Sequence, residues 1–138
     1  METNLRMKKK VISAILIRCI LKNGTMKKIE AIVRTNKFEQ IRAGLADIGV
    51  PFFTLKEVKG YGLQKGEHIT YRGSSFDSDF IPRLQMEIYS PDEKVEDIVQ
   101  TIMKYGRTGE IGDGKIVVVN VESIYRIRTG DEGIKAVY

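Results

Sequence analysis

The stretch SPDEKVEDIVQTIMKYGRTGEIGDGKIVVVNV, residues 90–121, sets a helix, a glycine loop and a strand in immediate succession. Ser90-Pro91-Asp92-Glu93 has the form of a capping box with proline at the first helical position. Val95, Ile98, Val99 and Ile102 follow at helical spacing and supply one apolar face. The helix gives way to Arg107-Thr-Gly-Glu-Ile-Gly-Asp-Gly-Lys115, and then to KIVVVNV (115–121), a strand rich in β-branched residues.

Working outward toward the N-terminus, Leu84, Met86 and Ile88 alternate as a further strand, and another covers roughly Phe53 to Gly60. Asn36 is placed to cap a helix in which Phe38, Ile41, Leu45 and Ile48 share a face, with Gly49 as its stop. Ile29, Ala31 and Val33 alternate with Lys28, Glu30 and Ile32 in the strand before it. The order is β-α-β-β-α-β, which predicts an α+β, ferredoxin-like fold. Two helices on one face of a four-stranded antiparallel sheet leave the other face bare, and bare sheet faces usually serve association or ligand binding.

Composition narrows the classes. With 138 residues, 42% hydrophobic and 30% charged, the chain holds enough apolar material for one folded domain and too much for a disordered one. One cysteine, Cys19, and one histidine, His68, exclude a disulfide scaffold within the chain and a Cys/His zinc site. No apolar run reaches the ~18 residues that span a bilayer. The net charge of +5 resides entirely in residues 1–25, where six basic residues face Glu2 alone, so residues 26–138 are neutral. A neutral body gives no argument for a nucleic-acid partner.

Residues 1–25 place Lys8, Lys9 and Lys10 before VISAILI. Three readings fit them: a start of translation misassigned upstream of Met26, a real extension, or a targeting segment. The first weighs most, because MKKIEAIVR (26–34) opens cleanly as a strand, and the last weighs least, because Arg18 interrupts the apolar run and no small-residue cleavage site follows. The expected division is therefore an extension over 1–25 and a domain over 26–138.

Two irregularities carry functional information. Gly62 to Ile81 puts about twenty residues where a hairpin turn needs ~2–5, the mark of an interaction arm or a mobile insertion. The glycines of 109–114 let a backbone approach an anion closely, and Lys115 adds a point charge. Arg126-Ile-Arg128, read as an extended segment, sets two guanidinium groups on one side as a clamp for phosphate oxygens. Loop, lysine and clamp together point to a nucleotide phosphate site, and the absence of a Walker pattern excludes a P-loop hydrolase. No Ser/His/Asp or Cys/His set can be assembled, and no carboxylate pair is placed for acid/base work, so no catalytic residues are assigned.

At the level of motifs the chain resembles the PII nitrogen-regulatory signalling proteins over Met26 to Asp131. The resemblance rests on EVKGYGLQKG (57–66), YRGS (71–74), RTGEIGDGKI (107–116) and RIRTGD (126–131) in this order. It implies a cytoplasmic homotrimer, non-catalytic, binding ATP or ADP in clefts between subunits. Thr54, Gly62, Gly112, Asp113, Gly114, Lys115, Arg126 and Arg128 match the nucleotide-binding positions. Mg²⁺-ATP would admit 2-oxoglutarate, with Gln64 helping to hold the magnesium and Gln64, Lys65, Gly66 and Arg83 receiving the 2-oxoglutarate. The 62–81 stretch matches the T-loop, which reaches target proteins such as an ammonium channel or nitrogen-assimilation enzymes. No redox cofactor, nucleic acid or membrane insertion is implied.

The departures are specific. Leu63 replaces a basic residue that touches phosphate, and Arg83 replaces a lysine. Phe76 replaces a tyrosine that some members nucleotidylate, which removes the acceptor hydroxyl. Val117 replaces an aromatic, and Ser74 matches a position phosphorylated in a subset. Three rivals stand beside this reading. A PII-like adenine-nucleotide sensor could answer to another metabolite. An RNA-recognition motif shares the element order, but Leu63-Gln64-Lys65-Gly66 lacks its stacking aromatics. A small phosphotransferase lacks a base and a nucleophile.

Overall fold

A computed structural model describes residues 25–61 and 80–138, together with the backbone of 68–71 and 74–77. Its centre is strand β1, Met26–Val33, paired antiparallel on both sides. One neighbour is the twelve-residue strand β5, Phe80–Pro91, and the other is β6, Lys115–Val121. Strand β2, Thr54–Tyr61, pairs with the far side of β5, giving the order β2-β5-β1-β6 with β2 and β6 as edges. Helices α1, Phe38–Asp47, and α2, Val95–Gly106, cover one face. The α+β, ferredoxin-like expectation holds.

Alternation decides what is buried. Ile29, Ala31 and Val33 of β1 and Leu84, Met86 and Ile88 of β5 point toward the helices, where Ile41, Leu45, Ile98 and Ile102 meet them. Gly44 brings the helices together: a methyl group there would stand 2.4 Å from the Tyr105 ring. Gly49 stops α1 with φ of 78°, as its position after the last apolar residue requires.

The bare face is a charge ladder with apolar margins. Lys28 Nζ lies 3.1 Å from Glu30 and 3.3 Å from Glu87, and Lys56 Nζ reaches Glu87 at 2.8 Å. Hydrogen bonding from Lys56, then from Lys28, holds the Glu87 carboxyl below its ordinary range against the opposing effect of burial. Val117 and Val119 on β6 remain close to half exposed beside this ladder.

Four local expectations are corrected. Ser90 does not cap α2: it continues the inward parity of Leu84, Met86 and Ile88, is fully buried, and donates to the Pro91 carbonyl at 3.0 Å. Both helices are entered instead through 3-10 turns, Thr35–Lys37 and Asp92–Lys94, without side-chain caps, so Asn36 caps nothing. The stretch between β2 and β5 also contains strands: β3, His68–Tyr71, pairs antiparallel with β4, Ser74–Asp77. Strand β5 begins at Phe80, before the expected start, because the ladder continues through Gly60↔Ile81 and Tyr61↔Phe80. The Tyr61 and Phe80 rings, 5.8 Å apart, pack at that end. Residues 1–24 lie outside the described residues.

Candidate functional site at the glycine loop

The loop from Arg107 to Lys115 is built around one carboxylate. Asp113 accepts hydrogen bonds from the Thr108 and Gly109 backbone amides, each at 2.8 Å, and from the Thr108 hydroxyl. Arg34, the first residue beyond β1, donates Nε to Asp113 at 2.9 Å and Nη2 to the Ile111 carbonyl at 2.8 Å. Arg83 on β5 donates Nε to the Gly112 carbonyl at 3.2 Å and a second nitrogen to the Pro82 carbonyl at 2.9 Å. The loop is therefore fastened to the sheet through β1 and β5 as well as to its own start. Gly109, Gly112 and Gly114 take φ of 86°, 101° and 89°, which makes glycine the fitting residue at each.

Asp113 thus spends its carboxylate on the loop itself. Its pKa is held well below the usual carboxylate range, foremost by the Thr108 hydroxyl, with Arg34 and the two amides adding to it and burial opposing. A depressed folded-state pKa contributes stability that is complete above the unfolded value of about 3.9 and is lost as pH falls through the folded value. Asp113→Asn is expected to cost roughly 1–2 kcal/mol at neutral pH. That gap should shrink steadily below about pH 4 in denaturant unfolding curves taken across pH. A gap independent of pH would show that the charge is not what holds the loop.

The structure divides the sequence-predicted residues into two groups. Gly112, Asp113, Gly114, Lys115 and Arg83 stand together at one end of the sheet, where Lys115 lies opposite Ile32. Lys115 is exposed on the bare face. Arg126 and Arg128 follow β6 at the other end, where Val121 lies opposite Met26. Six residue steps of β6 separate the ends, about 20 Å. Thr54 is exposed on β2, the opposite edge, about 14 Å across the sheet from β6.

The extended Arg126-Ile-Arg128 clamp is corrected. Residues 127–129 form a turn, closed by the Gly130 amide on the Arg126 carbonyl at 2.7 Å and by the Arg126 amide on Asp131 at 2.8 Å. Gly130, with φ of 74°, and the Thr129–Asp131 hydrogen bond favour turning over extension. The Arg126 guanidinium donates to the Ala136 carbonyl at 3.2 Å and to that of Tyr138. Arg128 is exposed. Gly62, Gln64, Lys65 and Gly66 lie outside the described residues, and Ser74 opens β4 opposite Tyr71.

Sequence reasoning missed Arg34 and Thr108 as loop fasteners, and it missed a cleft of ≈350 Å³ beside the loop. The cleft lies on the helix side of the sheet, since Ile116 and Val118 pair with the inward Ala31 and Ile29. Val99 and Met103 of α2 form its other wall, with Arg107, Gly114 and Lys115 at one end.

Comparison with known proteins reads this architecture directly. The family model described as "Nitrogen regulatory protein P-II" matches residues 26–131. The chain belongs to the P-II family. A nitrogen regulatory protein P-II of Pasteurella multocida is 46% identical over 112 residues, covering 81% of this chain and all of the relative. Nitrogen regulatory protein P-II 1 of Escherichia coli K12 matches to the same extent. Among solved structures, Arabidopsis thaliana PII bound to citrate superposes with a TM-score of 0.68 at 35% identity, covering 84% of this chain and 93% of that one. The P-II relatives are named as regulators, and no helix among the described residues is long and apolar enough to cross a membrane.

Proposed function

We propose that residues 26–138 form a P-II signal transducer that binds ATP or ADP between the subunits of a cytoplasmic homotrimer. One observation carries this reading: the glycine loop leads into β6 and the arginine turn follows its other end, the strand between them being about 20 Å long. A single nucleotide phosphate chain cannot touch both within a monomer. Two copies bring the Gly112–Lys115 loop of one against the Arg126–Arg128 turn of another, with Thr54 lining the same seam. The bare face, with Ile32, Val117 and Val119 beside its charge ladder, is the surface such copies would share.

Gln64, with the phosphate oxygens, has the hard oxygen donors Mg²⁺ prefers. The ion would neutralise phosphate charge and offer positions to a dicarboxylate. Lys65, Gly66 and Arg83 would receive 2-oxoglutarate, and the T-loop would report its presence to an ammonium channel or a nitrogen-assimilation enzyme. A relative bound to citrate supports carboxylate recognition in this family. The ligands would couple by about 1–3 kcal/mol, reciprocally.

Arg83 supports a second reading. Its guanidinium already serves the Gly112 and Pro82 carbonyls, so the cation assigned to 2-oxoglutarate has structural work of its own. A sensor that keeps the nucleotide and answers to another metabolite follows from that. Calorimetric titration with Mg²⁺-ATP, with and without saturating 2-oxoglutarate and repeated with ADP, separates the two. Tightening of ATP alone is the expected result. Nucleotide binding indifferent to 2-oxoglutarate would select the second reading, and no nucleotide binding would overturn both.

A further inference from the structure

We propose that Ile127 of one copy seats in the α2–β6 cleft of the next copy, as an apolar plug beside the nucleotide phosphates. The inference rests on the reading that two copies complete each site. Ile127 is 103% exposed, the most exposed of the large apolar side chains among the described residues. It is also held in place. The Gly130 amide, the Arg126 amide and the Arg126 guanidinium all bind backbone carbonyls around it. A branched apolar side chain fixed in water at the tip of a bonded turn is a knob prepared for a hole.

The cleft beside the glycine loop is such a hole. The cleft walls, Val99, Met103, Ile116 and Val118, are apolar, and Val118 is 42% exposed. Ile127 does not fill the cleft of its own chain: it is fully exposed on the turn that follows β6, while the cleft lies along Ile116 and Val118. A second copy is the occupant for a geometric reason. The turn that carries Ile127 also carries Arg126 and Arg128, which the proposed site brings to the glycine loop. Gly114 and Lys115 of that loop border the cleft. Knob and hole are then neighbours across one seam. Arg107 and Lys115 on one side and Arg126 and Arg128 on the other converge as cations, which makes the nucleotide phosphates the natural counter-charge between the copies.

Disulfide trapping tests the contact in the full-length chain. Ile127→Cys and Val118→Cys are combined in a Cys19→Ser background and oxidised with ATP present; bridging requires Cα atoms within about 7 Å. The expected result is a ladder of thiol-reversible dimers and trimers on a denaturing gel, absent from each single-cysteine chain. Ile127→Asp, which meets only solvent in the monomer, is expected to weaken ATP binding at least tenfold with an unchanged far-UV circular dichroism spectrum. A trimer in sedimentation without a ladder, or normal ATP affinity in Ile127→Asp, overturns the plug and leaves the nucleotide reading standing. A wild-type chain that neither assembles nor binds ATP overturns both.

Discussion

Gly114→Ala is expected to destabilise the domain by about 3 kcal/mol or more, the range reached when backbone strain and a hard clash act together. Position 114 takes φ of 89°, and a Cβ placed there would stand 1.8 Å from the Ile32 carbonyl oxygen and 2.8 Å from its carbon. Neither partner can retreat cheaply. Ile32 belongs to β1, hydrogen-bonded on both sides, and Gly114 is tied by its neighbours to Arg34, Thr108 and Arg83. Gly109→Ala is the control, since its φ of 86° is as unusual but nothing lies within 4 Å. That substitution should cost only the left-handed backbone penalty, about 1–2 kcal/mol. Urea unfolding of the two variants measures the difference. Equal losses would mean that the loop does not press on β1 as closely as its geometry states.

The second large effect concerns binding. On the proposed reading, Lys115→Ala and Arg128→Ala each lower ATP affinity by roughly 10–100-fold, the cost of removing one charge from a closely held ionic contact. Both residues are exposed, so their stability should change by no more than about 0.5 kcal/mol. Arg126→Ala is expected to behave differently. Its guanidinium holds the Ala136 and Tyr138 carbonyls, so binding and stability fall together. Calorimetry and thermal unfolding on the three variants separate these roles. Unchanged ATP affinity in both Lys115→Ala and Arg128→Ala would sink the phosphate assignment.

The elements that the sequence disclosed are those whose periodicity is local. Ile29-Ala31-Val33 and Leu84-Met86-Ile88 state their strands by alternation, and Ile98 with Ile102 states a helix face. Errors arose where two local rules compete at one residue. Ser90 satisfies a helix-cap pattern and a strand parity at once, and core burial prevailed because its position faces the helices. Arg126 and Arg128 satisfy an alternation pattern, but Thr129, Gly130 and Asp131 satisfy a turn, and the turn's hydrogen bonds prevailed. The fastening of Asp113 by Arg34 was illegible for another reason. Those residues are 79 positions apart, and no spacing rule reaches that far. The glycine loop announced itself by composition, whereas what holds it required the fold.

The placement of the loop and the arginine turn at opposite ends of β6 also has a genetic meaning on the proposed reading. Each seam draws its loop from one chain and its arginines from another, so a chain damaged in one half still lends its neighbour an intact other half. Lys115→Ala and Arg128→Ala subunits made together would rebuild undamaged seams in about a quarter of the positions by random mixing. Two inactive alleles would therefore complement each other within one assembly. A single allele carrying both substitutions could not be rescued by either.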